Sequence, residues 1–153
     1  MIRVSALRNF PIICGHRRIG LMQGVSLNEA QNQVRALVIS CGIRGKRLVF
    51  PDDIANLGNG FILISKVNKY AQEYEMSSCR FVRDSTGLLC GRVMDYAIDE
   101  KMLTIQAIEI IPGYIGRERR HRIWVYTYMR TSECELGVPA CIGNELLRGE
   151  GGK

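Results

Sequence analysis

The chain repeats itself. Shifted by 71 positions (91 − 20), Gly20 falls on Gly91, and with no gap Val34 falls on Ile105, Ala36 on Ala107, Leu37 on Ile108 and Ile39 on Ile110. Turn positions keep the same frame: Gly42 falls on Gly113, Gly45 on Gly116 and Lys46 on Arg117. Apolar positions held in phase with turn glycines mark one small unit present twice. In a chain of 153 residues each copy has roughly 70–75 residues, enough for a core but only a thin one. The halves are therefore expected to bury apolar surface against each other.

The apolar pattern within each copy is that of short strands. Pro11 to Cys14 is a short apolar run, and Gly15 to Arg18 reads as a turn. Ile19 to Leu27 alternates, with Ile19, Leu21, Val25 and Leu27 assigned to one face. Polar residues 28–33 connect it to the β-rich run Val34 to Cys41. Two glycines in Gly42 to Lys46 suit a tight turn, because glycine adopts positive φ without a steric penalty. Leu48 to Phe50 is a strand stopped by Pro51, Asp52 to Ile54 a turn, and Phe61 to Val67 closes the first copy. Residues 68–78 form a linker. The second copy follows the same plan: a strand at Cys79 to Val82, a hairpin of Leu89 to Ile98 and Met102 to Ile111 around residues 99–101, and a strand at Ile123 to Met129. Val138 to Leu147 adds one more strand, and 148–153 is a charged, glycine-rich tail. The expected domains are thus 1–67 and 79–147. Short strands with turn signals and no long helix give an all-β fold of two tandem small barrels related by internal duplication.

Bulk properties narrow the function classes. Hydrophobic residues make up 46% and charged residues 24%, the balance of an ordinary globule. No run approaches the roughly 18 apolar residues of a membrane span, and the Phe10 to Cys14 run is too short for a signal peptide, so a cytoplasmic location is expected. The net charge of +6 permits RNA, anionic lipid or an acidic protein face as partner. Six cysteines raise a disulfide or metal reading, but no Cys-x-x-Cys pair exists, and Cys134 and Cys141, the closest two, have six residues between them. None of the cysteines is duplicated in the repeat frame. They read as reduced thiols packed as small hydrophobes.

The run Gly87-Leu88-Leu89-Cys90-Gly91-Arg92-Val93-Met94-Asp95-Tyr96 resembles the opening hairpin of the PRC-barrel family, in which Gly-x-x-x-Gly-x-Val-x-Asp precedes an alternating strand. By this resemblance Gly87 allows the turn, Gly91 a close backbone approach, Val93 faces the core and Asp95 lies on the surface. The first copy departs from it at His16, Met22 and Gly24, while Leu48 to Ile54 and Gly58 to Ile62 are similar to the family's closing segment. The matches cover roughly residues 5–67 and 78–130. The resemblance implies six-stranded barrels without catalytic residues or cofactor. PRC barrels occur in the photosynthetic reaction-centre H subunit, in a ribosome maturation factor and in small bacterial proteins tied to sporulation or RNA metabolism. They act mainly as protein-binding adaptors, so a protein partner is expected.

Nothing in the residues assembles a catalytic set. Only two histidines occur, His16 and His121, each among arginines, and no nucleophile elbow, phosphate loop or zincin helix is present. Adjacent Asp52 and Asp53 read as turn carboxylates. The sharper signal is basic. Arg117, Arg119, Arg120 and Arg122 form one cluster, Lys46 and Arg47 with nearby Arg44 occupy the matching turn of the first copy, and Arg17 and Arg18 add a third group. These nine are the candidate partner-binding residues. They suit an acidic protein or, as the alternative, an RNA backbone in RNA processing or ribosome maturation. Trp124, Tyr126 and Tyr128 follow at alternate positions, which suits base stacking if exposed and core packing if buried. Homodimerisation would cover the strand edges a small domain leaves open.

Overall fold

The computed structural model describes residues 1–68, 81–113, 122–126, 128–131 and 135–139. It is all-β, with thirteen strands among those residues: β1 (Ile2–Arg3), β2 (Pro11–Cys14), β3 (Arg17–Asn28), β4 (Gln33–Ser40), β5 (Lys46–Val49), β6 (Ile54–Leu57), β7 (Ile62–Ile64), β8 (Phe81–Asp84), β9 (Leu89–Ile98), β10 (Ile105–Pro112), β11 (Ile123–Val125), β12 (Met129–Arg130) and β13 (Glu135–Val138). Helical structure among them is confined to 3-10 turns at Ser5–Leu7, Gly42–Arg44 and Pro51–Asp53. No described helix is long and apolar enough to cross a membrane.

The chain separates into two compact units. Unit 1 is Met1–Ser77 with Ile98–Ile105, and unit 2 is Ser78–Ala97 with Gln106–Lys153. Unit 1 contains a six-stranded sheet in the order β5-β4-β3-β2-β7-β6. Its strand pairings are antiparallel except one: β2 and β7 run parallel, Ile12 opposite Ile62. The sheet of unit 2 runs β11-β10-β9-β8-β13-β12. Here β8 and β13 are a parallel pair, Val82 opposite Leu136. Taken in chain order, the two sheets have the same strand sequence and place a parallel pairing at the same point. In unit 1 the chain after β7 also returns to the far edge, where Asn68 bridges Leu48 of β5.

Several positions 71 residues apart share local geometry. Val34, Ala36, Leu37 and Ile39 are buried, and so are Ile105, Ala107, Ile108 and Ile110. Both long hairpins turn in one way. Asn28 Oδ1 accepts from Gln31 N at 3.3 Å, and 71 residues on Asp99 Oδ1 accepts from Met102 N at 2.7 Å. Asn32 (φ 54°) and Leu103 (φ 53°) then take the same left-handed conformation. The tip of the second hairpin belongs to unit 1. There Gln33 bridges Thr104, Val34 N donates to Leu103 O, and Ile105 N donates to Asn32 O, both at 2.8 Å.

Several expectations shift. The turn after β2 is shorter than its sequence suggests: β3 begins at Arg17, which pairs with Cys14, while Arg18 pairs with Ile13. Of the four residues assigned to one face of this stretch, Val25 and Leu27 are buried, but Ile19 and Leu21 are only half-buried and Met22, at 1% exposure, takes the inward place. The physical reason is a register slip between Met22 and Gly24 and another between Ser26 and Leu27. Each extra residue moves the following side chains to the opposite face. The closing strand of unit 1, expected over Phe61 to Val67, is only β7 (Ile62–Ile64), and a further strand, β6, forms at Ile54–Leu57. β11 ends at Val125 and β12 starts only at Met129, so Ile123 to Met129 is not one strand. Asp95 is buried, not on the surface. It lies in the inward stretch of β9 that continues to Ile98, and its Oδ1 accepts from Tyr96 N at 2.8 Å. The expected linker and tail lie outside the described residues, apart from Asn68.

Candidate functional site

β3 runs antiparallel to β4, with Leu21 opposite Ser40. Because β4 ends at Ser40, the start of β3 continues past it and comes beside the turn that links β4 to β5. Gly20 marks the crossing. A Cβ there would overlap the Ser40 carbonyl oxygen and stand 3.4 Å from the Cys41 Cα. Only a residue without a side chain lets the two backbones meet at this point.

The turn itself is closed by three backbone bonds: Cys41 N to Gly45 O at 2.9 Å, Arg44 N to Cys41 O at 3.3 Å and Gly45 N to Gly42 O at 3.0 Å. Gly42 and Gly45 have φ of 63° and 76°. Both are in the region that glycine enters freely and other residues enter at a cost. The chain then enters β5, where Lys46 lies opposite Ser40 and Arg47 opposite Ile39.

These two stretches enclose a cavity of about 550 Å³ in unit 1. Arg17 and Arg18 reach it from β3, Arg44 from the turn and Arg47 from β5; Ile19, Cys41 and Val67 complete the lining. Among the described residues, no carboxylate lines it. Arg17, Arg18 and Arg44 are exposed, and Arg47 is half-buried. Burial pushes the Cys41 thiol up, and the Arg47 and Arg44 guanidiniums partly oppose that rise. The thiol therefore stays protonated near neutrality. Chemically the lining combines four guanidinium groups with the aliphatic side chains of Ile19 and Val67, a composition that can take an anion.

The charge distribution of the whole chain agrees with this. Residues 1–51 carry eight Lys and Arg against one carboxylate, Glu29, a formal +7; the remaining residues net −1, for +6 overall. Two other cavities differ in kind. One of about 940 Å³ in unit 1 lies along β6 and includes Asp99 and Glu100 in its wall. One of about 580 Å³ in unit 2 includes Tyr128, Met129, Val138 and Pro139 in its lining together with the charged Arg83, Asp84 and Glu135. Arg83 is already engaged there, through Glu135 at 2.9 Å and the Gly87 carbonyl at 3.0 Å.

Of the nine basic candidates, four converge on the arginine cavity. Lys46 is exposed on the adjoining strand start and does not line it. Arg122 is elsewhere and serves the fold, its Nη1 lying 3.3 Å from the buried Glu109 carboxylate. Arg117, Arg119 and Arg120 lie outside the described residues, as do His121, Cys79, Cys134 and Cys141. Asp53 lies in the 3-10 turn Pro51–Asp53, where its carbonyl accepts from Ser65 N at 2.8 Å and its carboxylate from Ser65 Oγ at 3.5 Å. The aromatic series divides, with Tyr126 exposed while Trp124 and Tyr128 are half-buried.

Sequence reasoning did not include Ile19, Cys41 and Val67 in the site. The first two were findable, since each adjoins a basic group and lies on either side of the Gly20 approach. Val67 was not, because only the Asn68 bridge to Leu48 brings it there. No family model matches the sequence, and no curated protein matches it.

Proposed function

We propose that this chain is a non-enzymatic cytoplasmic adaptor made of two copies of a PRC-like barrel module, and that it holds an acidic face of a protein partner in the arginine cavity of unit 1. The observation that carries this reading is the convergence of Arg17, Arg18, Arg44 and Arg47, from two stretches some 25 residues apart (44 − 18 is 26), on one cavity without a carboxylate among its described lining. The three exposed guanidiniums among them, Arg17, Arg18 and Arg44, repel one another, which favours a bound anion. The common strand order and the features 71 residues apart support descent from a single module. The Leu48–Asn68 bridge, which reaches across to the β5 edge, favours barrel-like closure of the unit.

The test is affinity capture on the full chain from native cell extract, with and without nuclease, beside the Arg17→Glu/Arg44→Glu variant. We expect retained protein that is indifferent to nuclease, released by raised salt and absent from the variant. Retention abolished by nuclease would transfer the site to RNA. Retention equal in the variant would remove the cavity from the reading.

A further inference from the structure

The turn that supplies Arg44 also carries Ile43, whose side chain is wholly exposed at 107% of its reference area. A large aliphatic side chain left in water is ordinary when scattered on a surface. Here its setting is not. Ile43 stands on a 3-10 turn fixed by the two positive-φ glycines and by the backbone bonds from Arg44 N and Gly45 N. It is held out by the backbone rather than by a flexible loop. Arg44 follows it directly, Lys46 and Arg47 lie within four residues, and Arg17 and Arg18 share the cavity beside it.

Four exposed cations, Arg17, Arg18, Arg44 and Lys46, and one protruding aliphatic residue also suit an anionic surface that is not a protein. Protein interfaces build their core from contiguous apolar area with a polar rim. The other exposed large apolar residues described in unit 1 are Met1 and Met102, at the chain start and on the second hairpin tip rather than on this turn. A bilayer requires less. A group of four to eight Lys and Arg draws a protein to an anionic leaflet, and a small apolar element inserted at the headgroup level supplies the second attachment.

We propose that this face of unit 1 docks on anionic lipid bilayers, with Ile43 entering the headgroup region and the surrounding arginines on lipid phosphates. The inference rests on the arginine face being an anion-binding surface, and not on the other ligand being a protein. Because both would use the same residues, bilayer and acidic partner exclude one another.

The full-length protein is mixed with vesicles of phosphatidylcholine alone or with added phosphatidylglycerol, and the bound fraction is read by flotation. Binding is expected only with the anionic vesicles. Arg17→Glu and Arg44→Glu each replace a cation by an anion, a change of two unit charges near the surface, and should each weaken it by about thirtyfold. Ile43→Ser should weaken it by roughly tenfold, from lost apolar burial. The Ile43→Ser slope against salt should match that of the wild type, because no charge is removed. Ile43→Trp reports insertion directly: its added emission should shift to the blue on anionic vesicles. Inorganic phosphate at equal ionic strength should not release the protein if the bilayer itself is the ligand. No binding to anionic vesicles would overturn the proposal. So would binding that Arg44→Glu leaves unchanged, or an emission from the Ile43→Trp variant that does not move. Captured protein that persists while vesicles fail to bind would leave the adaptor reading standing alone.

Discussion

A Cβ on Gly91 would stand 2.5 Å from the carbonyl oxygen of Ile111 and 2.8 Å from the Ile110 Cγ2. Seventy-one residues earlier, Gly20 stands in the same relation to the Ser40 carbonyl. The opposing carbonyls are backbone, so they cannot swing aside. We expect Gly91→Ala and Gly20→Ala each to cost about 1–3 kcal/mol, as overpacking does, measured by denaturant unfolding. For Gly20→Ala the cost should come with weaker binding at the arginine cavity, since that approach places β3 against the Cys41 turn. Alanine variants as stable as the parent would show that the strands can separate at these points.

The turn after β8 depends on one carboxylate. Asp84 Oδ1 accepts from Thr86 Oγ1 at 2.6 Å, Thr86 N at 2.9 Å and Leu88 N at 2.9 Å. The Thr86 hydroxyl bond, with help from the backbone amides, holds this carboxyl below the usual aspartate range. A folded pKa depressed below its unfolded value contributes stability above the unfolded pKa of about 3.9 and loses it as pH falls through the lower folded value. The parent should therefore lose stability more steeply than Asp84→Asn on acidification below about pH 4. Parallel acid limbs in the two proteins would refute the assignment.

Leu103 takes φ of 53°, a conformation that a leucine enters at a cost, whereas its counterpart in the repeat frame is Asn32 at φ 54°. Asparagine tolerates the left-handed region much better. Leu103→Asn should raise stability by up to about 1 kcal/mol, read as a higher midpoint in thermal or urea unfolding. A net loss would mean that the packing of the half-buried leucine outweighs the strain.

Glu109 is 2% exposed and lies 3.3 Å from the Arg122 guanidinium, itself partly in solvent. Removing the cation weakens a charge-assisted bond to a buried acceptor. We expect Arg122→Ala to cost about 1–2 kcal/mol. A double-mutant cycle with Glu109→Gln should return a coupling of about 1 kcal/mol. A coupling near zero would make the pair incidental.

The parts legible in the sequence are those governed by local chemistry. β2 and β9 match their apolar runs to the residue, and the 99–101 turn follows from an aspartate that caps it. Two positive-φ glycines also foretold the 42–45 turn. What stayed hidden depends on partners far along the chain. Residues 54–57 carry Ala55 and Asn56 and show no alternation, and they become β6 only because β7 offers a partner with a slipped register between Ile54 and Asn56. Slips within β3 exchanged Leu21 for Met22 in the core. The arginine groups were visible as charges, yet their convergence needed the antiparallel overhang of β3 past Ser40. Val67 could enter the lining only through a bridge from Asn68 to a strand twenty residues earlier (68 − 48).

Unit 1 is completed by residues 98–105, which hydrogen-bond to Asn32 and Val34. During synthesis those residues leave the ribosome after all of Met1–Ser77. The amino-terminal unit thus has to wait, with the edge at Gln33 open, for a hairpin made later, although domains generally fold as they emerge. Cutting the gene after Ser77 would leave a first half that still lacks the strand end it was meant to receive.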